Sequence, residues 1–208
     1  MHILLETKRL RLRRFTPADA DHLFDLDNDP DVMRFINGGE PTPRHIIEND
    51  ILPTFLRYDA RGLGIFAAEE TATGNFVGWF SLRSAEETPT EAVLGYRLHK
   101  AAWGKGYATE GVQALIDKGF GKGFGKGFGE WGLARVVATT YEHNLGSRRV
   151  MEKVGMRFVR SFRYTPEDLA QSDTSYTSDD EVWDGEDVVY TLEREEWEKS
   201  EIFVKRNT

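Results

Sequence analysis

The sequence predicts a mixed α/β fold built on one central sheet, and three observations carry that prediction. Strand-like alternation appears early and again late in the chain. Amphipathic helical patterns lie between those runs. A glycine-bearing segment, Trp103 to Glu110, joins a strand-like run to a helical one. A length of 208 residues suits a single domain spanning 1–208, with a full hydrophobic core.

The first strand is read from Leu10, Leu12 and Phe15, which alternate with Arg9, Arg11 and Arg13 and so predict one wet face. Thr16-Pro17-Ala18-Asp19 then reads as a helix start: Thr16 caps, Pro17 suits the first helical position, and Asp19 completes a capping box. Leu23, Phe24 and Leu26 form its buried stripe, and Asn28-Asp29-Pro30 ends it. Thr42-Pro43 opens a second helix with Ile47, Ile51 and Phe55 on one face and a kink at Pro53. Leu63 to Glu69 and Phe76 to Leu82 read as a hairpin around Thr73-Gly74-Asn75. Ala92 to Leu98 is a third strand of this group. A helix follows from about Thr109 to Lys118, then a strand from Arg135 to Thr140. A short helix from Ser147 to Val154 is closed by Gly155. Phe158 to Tyr164 and Val188 to Leu192 are the late strands.

Composition excludes several classes of function. A net charge of -8 argues against general nucleic-acid binding, which needs a basic face for phosphates. The absence of cysteine removes disulfides, thiolate metal sites and cysteine nucleophiles together. Met1 to Arg14 is basic without a long apolar run, so it is not a signal peptide, and no stretch approaches the ~20 apolar residues of a spanning helix. The expectation is a cytoplasmic protein without metal, membrane or nucleic-acid partner.

Two segments fit no element. Lys118-Gly119-Phe120-Gly121 recurs twice more, through Gly129, as an exact tandem repeat. Glycine costs about 1 kcal/mol per helix position relative to alanine, so the repeat predicts a lengthened connection rather than helix unless packing compensates. Pro166 to Asp187 holds nine acidic residues and no Lys or Arg. It reads as a solvated loop or as an acidic rim for a cationic amine.

The segment from Trp103 to Glu110 carries the chemistry. The first N–H groups of a helix lack internal partners, and the helix dipole adds partial positive charge there. A phosphate or pyrophosphate is the natural guest. Gly104 and Gly106 let the backbone approach closely, Ala108 is nearly as small, Lys105 adds charge, and Thr109 offers a hydroxyl.

Leu94-Gly95-Tyr96-Arg97-Leu98-His99, followed by Trp103-Gly104-Lys105-Gly106-Tyr107-Ala108-Thr109-Glu110, resembles the coenzyme-A motif of the GNAT superfamily of N-acetyltransferases. Asn144-Leu145-Gly146-Ser147, with the short helix ending at Lys153-Val154-Gly155-Met156, is similar to the second motif of the branch containing the ribosomal-protein alanine acetyltransferases. The beginning, Glu6 to Arg13, and the end, Leu192 to Trp197, also resemble that branch. The resemblance implies a mostly antiparallel sheet splayed near an acetyl-CoA site. It implies that pantetheine runs along the strand ending near Leu98 and that pyrophosphate sits on Gly104, Lys105, Gly106, Tyr107, Ala108 and Thr109. By the same resemblance, Asn144 bonds the pantetheine arm and Ser147 lies near the sulfur, while one of the two also suits a helix cap. The branch places a glutamate base shortly after its second motif; this chain has Val159 there, followed by Arg160.

The implied reaction is direct attack of an amine on the thioester of acetyl-CoA. It needs a base for the ammonium, a donor for the oxyanion and an acid for the thiolate. A backbone N–H near Leu98 is the oxyanion candidate. Ser147 is the first candidate acid and Tyr141 the second. Glu91, at the start of the strand leading to the turn, is the candidate base beside a water chain. His99, expected in solvent at a strand end, and His143 titrate in a suitable range. The acceptor is left open between a protein N-terminus, a polyamine, an antibiotic and a small amine. A homodimer through the late strands and a non-catalytic acyl-CoA sensor also stay open.

Overall fold

The computed structural model describes residues 2–59, 62–85, 88–121, 131–163 and 185–200. Its strands are β1 (Ile3–Glu6), β2 (Leu10–Arg14), β3 (Gly64–Glu70), β4 (Phe76–Ser84), β5 (Glu91–Leu98), β6 (Arg135–Tyr141), β7 (Arg157–Phe162) and β8 (Asp187–Glu193). They form one sheet in the order β1-β2-β3-β4-β5-β6-β8-β7. Every neighbouring pair is antiparallel except β5 with β6. The helices are α1 (Ala20–Asp27), α2 (Pro30–Asn37), α3 (Arg44–Ile46), α4 (Leu52–Phe55), α5 (Tyr107–Phe120), α6 (Leu145–Lys153) and α7 (Arg194–Lys199). A π-turn, Ile47–Ile51, joins α3 to α4. Pro53, which lacks an N–H, lies just beyond it, where the sequence places a kink.

Period-two alternation sends the sheet's side chains to two cores. Phe66, Phe80, Leu94, Val136, Tyr190 and Leu192 pack with Leu115, Ile116 and Phe120 of α5, Met151 of α6 and Trp197 of α7. On the opposite face Ile65, Ala67 and Trp79 pack with Leu23, Ile47, Ile51 and Phe55. A fully buried Leu or Ile contributes about 1.5–3 kcal/mol, so α5, with ten buried residues, is held mainly by tertiary packing. Gly111 permits its closest approach: a Cβ there would lie 2.4 Å from the Phe80 ring.

Three sequence expectations need correction. The second face of β2 is wet only in part, since Arg9 and Arg11 are partly exposed but Arg13 is not. Arg13 is buried, because its guanidinium donates to Asp19 at 2.7 and 2.9 Å and to Glu69 at 2.6 Å. Burial alone would raise the Asp19 carboxyl, but bonds from Arg13 and Thr16 hold it below the usual range. Next, α2 follows α1 directly. Asp29 accepts from the Asp31 N–H as its N-cap, Pro30 occupies the first position, and Gly38 ends it at φ 79°. Finally, the first repeat copy is helix rather than connection. Gly119 packs against Leu82 and Leu133, Phe120 is fully buried, and Gly121 closes α5 at φ 89°. Packing offsets the glycine cost. The other two copies, and the acidic stretch as far as Asp184, lie outside the described residues. β1 and α7 also extend the sheet and its cover beyond the sequence-derived elements.

Candidate active site

The site is a split in the sheet. β5 and β6 pair only at Glu91–Arg135, Ala92–Val136 and Val93–Val137. Both strands continue, to Leu98 and Tyr141, but without further pairing to each other. Backbone direction along β5 is fixed from both sides. Toward β4, Glu91 C=O accepts from Ala85 N–H and His99 N–H donates to Val77 C=O; toward β6, Thr90 C=O accepts from Arg135 N–H. The Val93–Val137 pair still engages the Leu94 N–H, so alternation leaves the N–H groups of Tyr96 and Leu98 aimed into the split. Unpaired backbone donors at a half-buried edge invite an extended ligand carrying carbonyls.

The turn beyond Leu98 is fastened at several points. The Trp103 indole N–H donates to Leu98 C=O at 2.8 Å. Gly104 and Gly106 take φ 71° and 81°, the left-handed region that glycine adopts without strain. A Cβ at Gly104 would meet nothing within 4 Å, so the turn's outer side is open. The first α5 backbone bond runs from Glu110 N–H to Gly106 C=O. The N–H groups of Tyr107, Ala108 and Thr109 consequently have no intrahelical acceptor and sit at the positive end of the dipole. The Tyr107 hydroxyl donates to Glu70.

A clamp that sequence reasoning missed comes from the β1–β2 connection. Arg9 donates to Glu110 through Nε at 2.7 Å and to Lys105 C=O through Nη1 at 2.7 Å, while its guanidinium lies 4.7 Å from the Tyr107 ring centroid. Thr7 Oγ1 and Arg9 N–H also donate to Glu110, at 2.6 and 2.9 Å. Burial opposes charge on Glu110, yet these bonds hold its carboxyl below the usual range. Because C=O and N–H point oppositely across a peptide, anchoring Lys105 C=O turns Gly106 N–H away from Arg9.

At the other side of the split, Asn144 caps α6: its Oδ1 accepts from Ser147 N–H at 3.1 Å. Ser147 Oγ lies 2.8 Å from the Tyr96 hydroxyl, which also reaches Ser147 C=O at 3.1 Å. Tyr96 thus ties β5 to α6 across the split. Burial, partly offset by the Ser147 bond, pushes its phenol up to about 12, so it stays a neutral donor at physiological pH. Its signal was present in the sequence, since Tyr96 shares its face of β5 with Leu94 and Leu98.

The remaining candidates fall apart spatially. Glu91 begins β5, seven residues from Leu98, roughly 23 Å away at ~3.3 Å per residue. It lies 3.4 Å from Arg135 at the closed end of the split, which removes it as the base. Tyr141 ends β6 with its ring centroid 6.0 Å from Phe35 of α2 and 5.3 Å from His143. It belongs to the face opposite α5, not beside Ser147. His99 is half-buried rather than in solvent; burial holds it below the usual histidine range despite Asp25, Asp29 and Asp27 nearby. His143 is exposed. On the same face as Tyr141, Arg97 pairs with the buried Asp27 of α1 at 2.6 Å. Among the described residues no cluster of three or more His, Cys, Asp or Glu could hold a metal, and no helix is long and apolar enough to cross a membrane.

A parallel pair that splits beside a glycine turn and a helix N-terminus is the arrangement that the sequence resemblance implies. Residues 9–157 match the family model described as acetyltransferase (GNAT) domain. The chain belongs to the GNAT family. It is an acetyl-CoA-dependent N-acetyltransferase. It is similar to the FsC-acetyl coenzyme A-N(2)-transacetylase of Aspergillus fumigatus, with 29% identity over 201 residues, covering 93% of this chain and 77% of that protein. Its fold matches a GNAT-family acetyltransferase structure from Bacillus anthracis with a TM-score of 0.72 at 23% identity, covering 94% and 99% of the two chains. It also matches RimL, a ribosomal L7/L12 α-N-protein acetyltransferase solved in complex with coenzyme A, with a TM-score of 0.68 at 16% identity, covering 92% and 98%.

Proposed function

We propose that the chain moves the acetyl group of acetyl-CoA to a primary amine by direct attack, with pantetheine in the β5–β6 split and pyrophosphate on the turn from Gly104 to Thr109. The single observation that carries this is the continuity of donors. The open-edge N–H groups of Tyr96 and Leu98 lead straight to the free N–H groups that begin α5. A linear acyl-amide arm ending in a pyrophosphate matches that sequence of donors. Lys105 adds positive charge at the turn, and the Asn144 side-chain amide remains available to the arm while its oxygen caps α6.

The tetrahedral oxyanion forms beside the N–H groups of Tyr96 and Leu98, where a fixed backbone dipole stabilises it without reorganisation. As the C–S bond breaks, Ser147 gives its hydroxyl proton to the thiolate sulfur. Tyr96 orients that hydroxyl: when its proton is given to Ser147 Oγ, 2.8 Å away, the serine proton is free to point into the split. Tyr141 is set aside as the acid on its position. The acceptor is a protein N-terminus, a polyamine, an aminoglycoside-like antibiotic or another small amine. It enters from the face carrying Arg97, Asp27 and Tyr141, opposite α5. For a homodimer, the candidate seam is the edge strand β7, where Phe158 and Val159 are exposed.

The test is release of free CoA thiol from acetyl-CoA across a panel of a free-N-terminus peptide, spermidine, an aminoglycoside and small amines. Amine-dependent release is expected. Coenzyme binding without release for any amine would mean an acyl-CoA sensor instead.

A further inference from the structure

We propose that Asp187 is the general base of this acetyltransferase, a role that Val159 cannot fill. The assignment rests on the acetyltransferase reading above. Asp187 opens β8 directly across from Tyr141 of β6 and from Phe162 of β7. Residues opposed in antiparallel strands share a face, so its carboxyl lies on the Tyr141 side of the sheet, where Phe35 of α2 contacts Tyr141. Val188, Tyr190 and Leu192 alternate to the other face, among the core residues with α5. This is the face from which the acceptor enters.

Its level along the sheet also fits. The β5–β6 register pairs Val93 with Val137; steps of two residues place Arg97 level with Tyr141, and therefore with Asp187. The strand spacing puts Asp187 roughly 10 Å from β5, somewhat more because of the split. That is the reach of an amine nitrogen plus one bridging water. The step balances as follows. The alkylammonium gives one proton through that water to the Asp187 carboxylate, which returns it to solvent. The freed nitrogen lone pair forms the C–N bond. When the adduct collapses, the C–S electron pair leaves on sulfur, which takes the Ser147 proton. The second nitrogen proton passes through water to reprotonate Ser147.

Four other described carboxylates are committed elsewhere, and Glu186 is exposed. Asp27 pairs with Arg97, Glu193 and Glu91 with Arg135, and Glu142 accepts from Glu186 N–H. Asp187 is half-buried, and its carboxylate has no hydrogen-bond or ion-pair partner among the described residues. The charged and titratable groups on the elements around it include Tyr141 at the end of β6, Glu142 and His143 after it, Glu186 beside it, Arg160 on β7, Arg163 just after β7 and Arg34 on α2. None of them sets its ionisation: burial alone raises the carboxyl above its usual range, toward the pKa that suits a base working near neutrality.

The experiment compares wild type, Asp187→Asn and Asp187→Glu in thiol release with the most active panel amine, over pH 5 to 9, alongside coenzyme affinity and melting temperature. The proposal expects Asp187→Asn to lower kcat by about 100-fold. The acidic limb of the pH profile should disappear while the KM for acetyl-CoA stays within about twofold. Asp187→Glu should restore part of the rate. A buried, uncompensated carboxylate favours folding only while protonated, so its stabilisation is lost as pH rises through its raised folded value. Asp187→Asn should therefore melt higher than wild type at pH 8 and no higher at pH 4. An intact rate and acidic limb in Asp187→Asn overturn this assignment alone. Loss of coenzyme affinity together with the rate also overturns it, because the residue then acts on the fold. A wild type that binds CoA yet releases no thiol overturns the acetyltransferase reading and this assignment with it.

Discussion

Replacing Arg9 with methionine isolates the clamp on the pyrophosphate turn. The variant keeps the aliphatic stem and loses the guanidinium bonds to Glu110 and Lys105 C=O. Glu110 retains Thr7 Oγ1 and the residue 9 N–H, so the β1–β2 connection should keep its place. What loosens is the peptide between Lys105 and Gly106. Hydrogen bonds to charged groups contribute ~1.5–3 kcal/mol when sheltered. The Arg9 side chain is 41% exposed, and solvent screening reduces that to about 1 kcal/mol. If the loss falls on coenzyme binding, the KM for acetyl-CoA rises roughly fivefold with kcat unchanged. S-acetylpantetheine provides the control, because it carries the thioester and arm but no pyrophosphate. Its kcat/KM should be the same for wild type and Arg9→Met. Equal losses for both donors, or for neither, would refute the view that Arg9 shapes the phosphate-binding turn.

Ser147→Ala should lower kcat by about 100-fold, the low end of what a general acid contributes, without weakening α6, because Asn144 caps through the backbone N–H of residue 147. Tyr96→Phe should cost about 1 kcal/mol, or roughly fivefold in kcat, and steady-state kinetics on both variants checks the order. Gly111→Ala would put a methyl group 2.4 Å from the Phe80 ring; overpacking of about 1–3 kcal/mol exceeds the ~1 kcal/mol gain in helix propensity, and calorimetry should find a lower Tm. Asp19→Asn leaves Arg13 buried with Glu69 as its remaining carboxylate, a loss of about 3–5 kcal/mol in denaturant titration at pH 7. Since Asp19 is held below its usual range, its stabilisation is present above about pH 4 and fades as pH falls through the lower folded value, and the variant should lack that component.

Much of the fold was legible because its signals are local. The Thr73-Gly74-Asn75 turn marks the β3–β4 hairpin, and the Thr16 and Asp19 capping pair marks the start of the first helical segment. The glycine turn and the Asn144 cap likewise declare themselves by residue type and spacing. What stayed hidden depends on contacts far apart in sequence. Arg13 looked like a solvent residue, since nothing local announces Asp19 and Glu69 as its partners. Arg9 grips a turn about a hundred residues away. Glu91 looked suitable because it begins the right strand, but a strand has two ends and the split opens at the other one. Asp187 sat at the border of an acidic run and was hard to separate from it until strand register placed it opposite Tyr141. The first repeat copy was read as connection because propensity weighs glycine against helix, whereas Leu82 and Leu133 close over Gly119.

The central claim is that acetyl-CoA occupies the β5–β6 split and the turn beyond it. Residue-resolved amide hydrogen exchange with and without acetyl-CoA tests it most directly. Slower exchange at Tyr96 and Leu98, together with Gly106 through Thr109, is the predicted result. Unchanged exchange at those amides under saturating acetyl-CoA, or protection confined to another part of the sheet, would contradict it.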